Sequence, residues 1–418
     1  MANPPRTNPQ GRRPASAPVR PRQAPPQSAP AAKGLLATRF NLGQQFRAES
    51  PNFYWLVGVT LLTVLIGLIM VLSASAVDSF LTDGGFFVSF FKQAGSAIIA
   101  IPLMLFVSRF PLEIYRRWAL LALIASGALQ LLVFTPLGVE SGGNRNWVDF
   151  GIQVQPSEFI KLTVAIWLGV NLPEIINRVG PYSFRIFLSI FPVYGVAFLV
   201  LLGGDLGTTI IIFAIIMGCI AFSGVADRVI VLPTVAVSAV VAFYVVTSPN
   251  RMNRIMSFLS ENCTDYTNAC WQPLHGKWAL ANGGIFGVGL GQSKAKWSWL
   301  PAADNDYIFA IIGEELGLIG ALLIIVLFVV MAVTFTRIIR SAKDPLVRIT
   351  TGGIMIWIVG QAFVNIGVVV GLLPVLGVPL PLLSSGGSAL VMTLLAIGVV
   401  LSFTREEKPI KKPLGRRR

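Results

Sequence analysis

The chain is short of charge. Of its 418 residues only 12% are Asp, Glu, Lys or Arg, about half of what a soluble domain carries to keep its surface in water. With 54% of residues apolar and a mean hydropathy of +0.71, too little polar side chain exists to cover a soluble fold of this size. Histidine is scarcer still: His275 stands alone, and a lone loop histidine is more often structural than catalytic. No spacing of His, Cys or carboxylate has the form of a metal site, so no cofactor is implied and a divalent cation has no support. An apolar run after the first basic residues, the mark of a secretory signal peptide, is also missing. What is there instead is a polytopic membrane protein with a formal net charge of +14.

An excess of cations on this scale invites a polyanion-binding reading, which the placement of the charges answers. Residues 1–52 hold eight cations and one acid, and residues 405–418 hold seven cations and two acids. The 352 residues between them carry a net charge of only +2. The first tail is Pro-, Ala-, Gln- and Arg-rich with almost nothing to pack, and is expected to be a disordered basic tail. Both tails read as solvated segments with some attraction to anionic lipid; a nucleic-acid partner is not expected.

Between the tails the hydropathy is nearly continuous. A span needs about 20 apolar residues, and ten stretches qualify, at 53–77, 86–108, 118–136, 157–173, 184–203, 207–223, 228–247, 307–335, 349–372 and 387–404. The expected fold class is therefore an all-α membrane domain of about ten spans over 53–404, with a large loop at 248–306 between the seventh and eighth. Cytoplasmic loops collect Lys and Arg. With the N-terminus inside, 25 cations lie inside and six lie outside: Arg145, Arg251, Arg254, Lys277, Lys294 and Lys296. Both termini are then cytoplasmic, and the chemistry is expected on the outer face.

The long loop contains Trp271, Trp278, Trp297 and Trp299 and several glycines, so an ordered, partly buried cap is expected rather than a slack connection. It also holds Cys263 and Cys270, whose spacing suits a small disulfide-closed loop on an oxidising face, the alternative being two free thiols. Cys219 falls in an apolar span and reads as a small core residue.

Ionisable groups at membrane depth are costly and usually paired or functional. Glu158 and Lys161 stand three residues apart after Pro156, on one helix face, as a locking pair or a direct substrate contact. Lys92 and Gln93 could face the same cavity. Asp205 reads as a helix cap. Asp306 lies at the outer boundary where a long helix begins. Asp is a good N-cap there; the other reading is a general base in a half-dry cleft beside a lipid-borne substrate. Glu314 and Glu315, two turns deeper, point to a polar bundle interior. The stretch 371–388 has three prolines, which forbid a regular helix, and irregular backbone at this depth must be buried in protein or line a wet cavity. Its Ser384, Ser385 and Gly386 suit either a structural re-entrant turn or contact with an anionic group.

Several separated motifs, in order, carry a resemblance. They are Ser73-Ala74-Ser75, Lys92-Gln93, Asn146-Trp147-Val148-Asp149-Phe150-Gly151, Gln155-Pro156-Ser157-Glu158 with Lys161, Asp205-Leu206-Gly207-Thr208, and Asn282-Gly283-Gly284 with Gly287 and Gly289. Asp306 to Ala310 with Glu314 to Gly317, and Phe363, Asn365, Gly367, Gly371 to Pro381 and Ser384 to Ser388, complete the set. Over about 53–404 the chain resembles the SEDS family (shape, elongation, division and sporulation), the FtsW/RodA-type peptidoglycan glycosyltransferases. Within that family it is more similar to the division type, FtsW, than to the elongation type, RodA.

The resemblance implies a polymerase of lipid II at the outer leaflet of the bacterial plasma membrane, releasing undecaprenyl diphosphate, and placed at the division septum. A lipid II flippase or transporter, the elongation-type enzyme, and a non-catalytic scaffold are the alternatives. It implies that Asp306 is the catalytic carboxylate. It makes Lys92, Gln93, Arg145, Trp147, Glu158, Lys161, Lys277, Lys294, Ser384, Ser385 and Gly386 candidate substrate contacts, with Arg145, Lys277 or Lys294 meeting the diphosphate. A class B penicillin-binding protein and divisome proteins are the implied partners. The pattern is broken where Asp304 replaces a more usual His and where His275 replaces a Gln, so that a second carboxylate stands beside the catalytic one.

Overall fold

The computed structural model describes residues 49–406 apart from 142–143, 260–269 and 298. The basic tails, except for residues 49–52, 405 and 406, and Cys263 lie outside these described residues.

Helix formation follows hydropathy, with ends set by local chemistry. α1 (Pro51–Asp83) begins where the Ser50 hydroxyl accepts from the Phe53 amide, with Pro51 in the first turn. At 33 residues it is about 50 Å long, well over the ~30 Å of a bilayer core. α2 (Val88–Val107) and α3 (Leu112–Leu131) follow. α3 starts six residues before the expected span because Arg116 and Arg117 occupy its first turns, where long cationic stems can reach the interface.

Between α3 and α4 (Pro156–Val179) lies a three-stranded antiparallel sheet that hydropathy did not announce: β1 (Gly138–Ser141), β2 (Asn144–Asp149) and β3 (Gln153–Val154). Val139 pairs with Trp147 and Val148 with Val154. α4 is the central helix: an unbroken run from Ile160 to Gly169 is buried, and Pro156 takes the first turn.

The fifth expected span divides at Ile190 into α5 (Arg185–Ser189) and α6 (Phe191–Leu202), where Pro192 restarts the helix. Asp205 caps α7 (Leu206–Phe222) by accepting from the Thr208 amide at 2.9 Å. α8 (Asp227–Thr247) and α9 (Pro249–Leu259) come next, then α10 (Trp271–Gly283), α11 (Ile308–Ser341), α12 (Pro345–Met355), α13 (Gln361–Val369) and α14 (Gly387–Glu406). A π-helical turn over Ile356–Gly360 joins α12 to α13.

Seven of these helical segments are long and apolar enough to cross a membrane, and α6 and α7 are shorter apolar helices. Each of the ten expected spans coincides with a helix or a joined pair, so the chain is a multi-pass helical membrane protein. α2 packs chiefly on α14, α3 on α4, α10 on α11, and α12 on α4.

α11 is not one rod. Gly317 sits at φ 68°, ψ −165°, backbone that essentially only glycine adopts. There the chain pairs like a short strand with the loop after α10: the Val288 and Gly289 amides donate to the Glu314 and Glu315 carbonyls, and Leu318 and Ile319 donate to Gly284 and Ile285. The broken turn is thereby satisfied inside the protein.

The described residues of the long loop after Cys270 are tied together by side-chain bonds. Trp271 Nε1 donates to the Trp299 carbonyl and Gln272 to the Pro301 carbonyl. His275 sits among Trp271, Trp278 and Trp299 with its Nδ1 on the Trp271 carbonyl, a structural place. Cys270 is disulfide-bonded; its expected partner, Cys263, lies outside the described residues. Cys219 is a free, fully buried core thiol.

Candidate active site

Asp306 lies in the turn before α11, yet it is not that helix's cap. The N-cap is Tyr307, which makes no side-chain capping bond, so the N-cap reading of Asp306 does not hold. Three consecutive carbonyls around it are held from the last third of the chain. The Ser385 amide donates to Asp304 at 2.8 Å, the Ser384 hydroxyl to Asn305 at 2.7 Å, and Asn365 Nδ2 to Asp306 at 2.7 Å. A main chain fixed at three successive oxygens leaves the Asp306 carboxylate free to point elsewhere.

It lies beside Gly377 of the proline-rich segment, with Arg254 close by. Oδ2 of Asp306 lies 3.6 Å, and Nη1 of Arg254 4.0 Å, from where a Cβ on Gly377 would stand. Gly377 has φ 68°, a left-handed backbone conformation that favours glycine.

Asp306 is partly exposed, but dense surrounding protein strips water from it. Desolvation is the largest cause that pushes its pKa up to about 6; Asp205 and Asp304 push the same way, and the Arg254 guanidinium opposes them. Asp304 is raised too, first by burial and then by Asp78, against a hydrogen bond from Ser385. A partly exposed carboxylate poised near neutrality can accept a proton at physiological pH.

A second tier holds this framework. Lys161 and Glu158 form a buried ion pair at 2.8 Å. Lys161 also donates to Gln361 Oε1 at 3.1 Å and lies over the Trp357 ring. Gln361 in turn donates to the Pro379 carbonyl, while Asn365 reaches Val378 as well as Asp306. From the other side Gln93 donates to the Ser384 carbonyl and accepts from the Gly386 amide. The re-entrant segment is thus clamped by α2, α4 and α13, and it clamps Asp304 to Asp306.

These bonds show what several of the candidate residues hold. Glu158 and Lys161 pair with each other, and their bonds run on through Gln361. Ser384 is spent on Asn305 and on the Leu380 amide, and Gly386 on Gln93, so neither offers its polar group to an anion. Ser385 serves Asp304. Lys92 does not share the cavity with Gln93: adjacent helix positions are about 100° apart, and Lys92 is exposed while Gln93 is buried.

The three cations offered as alternative diphosphate contacts have different surroundings. Arg145 lies on the sheet with its guanidinium on the Thr135 carbonyl, and Trp147 is half-buried beside it on β2. Lys277 rests on Gly371. Lys294 is exposed, and its amide donates to Glu314. The cation that acts on Asp306 is Arg254, which sequence reasoning counted as outward but assigned no role. Gln361 was missed as well; the only signal was a polar side chain inside an apolar span.

Glu314 and Glu315 form a separate buried hub. Glu314 accepts from Asn282, from the Ser293 hydroxyl and from the Lys294 and Ala295 amides. Glu315 accepts from Ser73 and pairs with Lys296 at 3.1 Å. Both are structural anchors of the cap. Among the described residues no group of three or more His, Cys, Asp or Glu could hold a metal ion.

Residues 54–409 match a family model described as a cell cycle protein, covering FtsW, RodA and SpoVE. The chain is 38% identical over 378 residues to the probable peptidoglycan glycosyltransferase FtsW of Mycobacterium tuberculosis, spanning 90% of this chain and 72% of that one. It is 37% identical over 366 residues to the stage V sporulation protein E of Bacillus subtilis, spanning 86% and 98%. Among solved structures, a chain of a peptidoglycan synthase complex superposes with TM-score 0.71 at 22% identity over 87% of this chain and all of that one. The rod shape determining protein RodA of Thermus thermophilus does so with TM-score 0.63 at 22% identity, again over 87% and 100%. At that identity the likeness is one of fold.

Proposed function

Because the chain belongs to the FtsW/RodA/SpoVE family of cell cycle proteins, we propose that it is a peptidoglycan glycosyltransferase polymerising lipid II at the outer leaflet during septal wall synthesis, with Asp306 as its base. The observation that carries the catalytic assignment is Asp306 itself: a partly exposed carboxylate, tethered through its backbone, beside a guanidinium, with its pKa raised to about 6.

In the reaction Asp306 takes the proton of the acceptor sugar's 4-hydroxyl as that oxygen attacks the donor's anomeric carbon. The new C–O bond forms as the bond from that carbon to the diphosphate breaks, and the electron pair leaves with the polyprenyl diphosphate. The proton then passes from Asp306 to water. Burial supplies a base strong enough to act near pH 7, and the three carbonyl tethers hold it in place, which is where most of an enzyme's positional advantage lies.

Both termini are placed in the cytoplasm by the charge count, which puts Asp306, Arg254 and the Trp-rich cap outside. A class B penicillin-binding protein is the proposed partner, since polymerised strands need crosslinking beside the site that makes them; divisome proteins would bring both to the septum. The fold likeness to a peptidoglycan synthase complex is in keeping with this.

Purified full-length protein with its cognate transpeptidase should polymerise lipid II, and Asp306→Asn should abolish the product while leaving the protein folded. Full polymerisation by Asp306→Asn would remove the mechanism. Movement of lipid II across vesicles without any polymer would favour a transporter.

A further inference from the structure

Helix α10 carries a line of aromatic rings that the reaction above does not use. Trp271, His275 and Trp278 recur four and three residues apart and so share one face of the helix. The His275 ring centroid lies 6.1 Å from that of Trp271 and 4.9 Å from that of Trp278, both edge-on, and Trp299 stacks on His275 at 6.0 Å. An aromatic stripe at helical spacing is ordinarily core, and this one is not: Trp278 is 52% and Trp299 61% exposed. The imidazole is the common neighbour of three indoles, and the bond from Trp271 Nε1 to the Trp299 carbonyl closes the cluster.

The cluster is built onto the turn that holds Asp306. The Gln272 side-chain amide donates to the Pro301 carbonyl and Trp271 to that of Trp299, and this stretch of chain runs on directly to Asp304 and Asp306. On the neighbouring face of α10, Gly276 leaves no room for a side chain: a Cβ there would stand 2.6 Å from the ring of Tyr307, the residue after Asp306. Rings and base are therefore fixed to one another through residues 299–307. The rise along α10 from Trp271 to Trp278 is about 10 Å, close to two pyranose rings end to end.

We infer that this aromatic stripe is a saccharide subsite, on which sugar rings of the growing strand lie while the strand's end reacts at Asp306. The inference rests on the polymerase reading and names what holds its product. A pyranose with equatorial substituents turns its hydroxyls outward and its C–H bonds to its two faces. Those faces are apolar and weakly positive, the complement of an indole face. Exposed apolar rings rimmed by polar groups mark a place where a ligand docks, and Gln272 and Lys277 supply such a rim on α10. Lipid is the competing occupant, since Trp collects at membrane surfaces. An interfacial belt has no use for an imidazole packed among its indoles, nor for bonds to the turn that bears the base. Stacking also takes every repeat of a strand alike, so the strand can slide on by one unit after each coupling without losing its hold.

Two measurements test this. A lipid-free tetrasaccharide of β-1,4-linked N-acetylglucosamine, mixed with the wild-type full-length protein in detergent, should protect Trp278 and Trp299 from hydroxyl-radical oxidation, read residue by residue by mass spectrometry. No protection at millimolar saccharide would overturn the subsite, whether or not any variant folds. Protection that comes instead from transfer into lipid nanodiscs, with saccharide adding none, would give the rings to the membrane and overturn it too. The lengths of strands made from lipid II would then be compared among variants. Trp299→Ala keeps the main-chain acceptor of Trp271, and its mean strand length should fall about fivefold, the affinity factor of one lost aromatic contact. That fall should exceed any fall in the rate of the first coupling, and Trp299→Tyr should regain part of it. Strands of wild-type length from both Trp299→Ala and Trp278→Ala would overturn the proposal. If saccharide protects the rings of a protein that makes no polymer, the subsite stands and the polymerase reading falls; polymer without protection gives the reverse.

Discussion

Asp306 works against the stability of the fold it sits in. Its folded pKa of about 6 lies above the ordinary carboxylate value of 3.8, so the protonated form is favoured by folding. The stabilisation is complete below about pH 4 and is lost as pH rises through 6. After allowance for partial exposure the cost of ionised Asp306 at pH 8 is about 1–2 kcal/mol. Asp306→Asn is therefore expected to melt a few degrees higher than wild type at pH 8 and at nearly the same temperature at pH 4, by thermal unfolding in detergent. In the same variant polymerisation falls by about two to four orders of magnitude, the range for removing a general base. In the wild type, kcat/KM should fall tenfold per pH unit below about pH 6, because only the ionised form accepts the proton.

The neighbouring residues that position it are separable from it. Asn365→Ala removes one donor from the Asp306 carbonyl and one from Val378, each worth about 1–3 kcal/mol when its partner is left buried. The expected result is a kcat lowered 10- to 100-fold with KM changed little and the pH midpoint retained. A shifted midpoint would mean that Asn365 also tunes the carboxylate. Residue type and depth alone picked out Asp306 and the Glu158–Lys161 pair as candidates and left their roles open. Arg254 and Gln361 were not picked out, because their importance depends on what faces them across the bundle, and no spacing along the chain encodes that.

At the scale of elements, the helices were legible from hydropathy and their interruptions were not. Pro192 divides the fifth span visibly enough, but the break in α11 depends on pairing between Gly284–Gly289 and Glu314–Ile319, two segments separated by the whole end of the cap. Gly317→Ala would put a side chain at φ 68° and against the Gly287 amide and Ile285 carbonyl. It should cost about 1–3 kcal/mol from backbone strain alone, read as a lowered unfolding midpoint. The small sheet at 138–154 escaped notice for another reason: four- and six-residue strands are too short for alternation to stand out.

The Glu315–Lys296 pair ties α11 to the cap, and Ser73 ties it to α1. Removing one partner strands a charge. Lys296→Met is expected to destabilise by about 3–5 kcal/mol, and the double substitution with Glu315→Leu to recover much of that loss. A double variant no better than the single would show that the bonds to Ser73 and Gly291, not the ion pair, hold the cap.

Over the whole molecule, the charge total says more about direction than about ligands. Cations cluster in the two tails and in the 109–117 and 337–348 connections. Single cysteines placed at Lys294 and at Lys343 in a Cys219→Ala background should react with a membrane-impermeant thiol reagent on opposite sides of sealed cells or spheroplasts. The first should label from outside and the second only after permeabilisation. Labelling of both from one side would invert or redraw the topology.

The three tethers on Asp304, Asn305 and Asp306 also set an order of assembly. A nascent chain that has emerged as far as the 342–344 turn already contains Asp306 and its guanidinium neighbour. It does not contain Asn365, Ser384 or Ser385, and the Asp304, Asn305 and Asp306 carbonyls wait without those partners. The Asp304 to Asp306 backbone is therefore fixed only once the 365–385 stretch has been made and has folded onto it. On the proposed function, a chain still short of that stretch lacks the tethers that position its base.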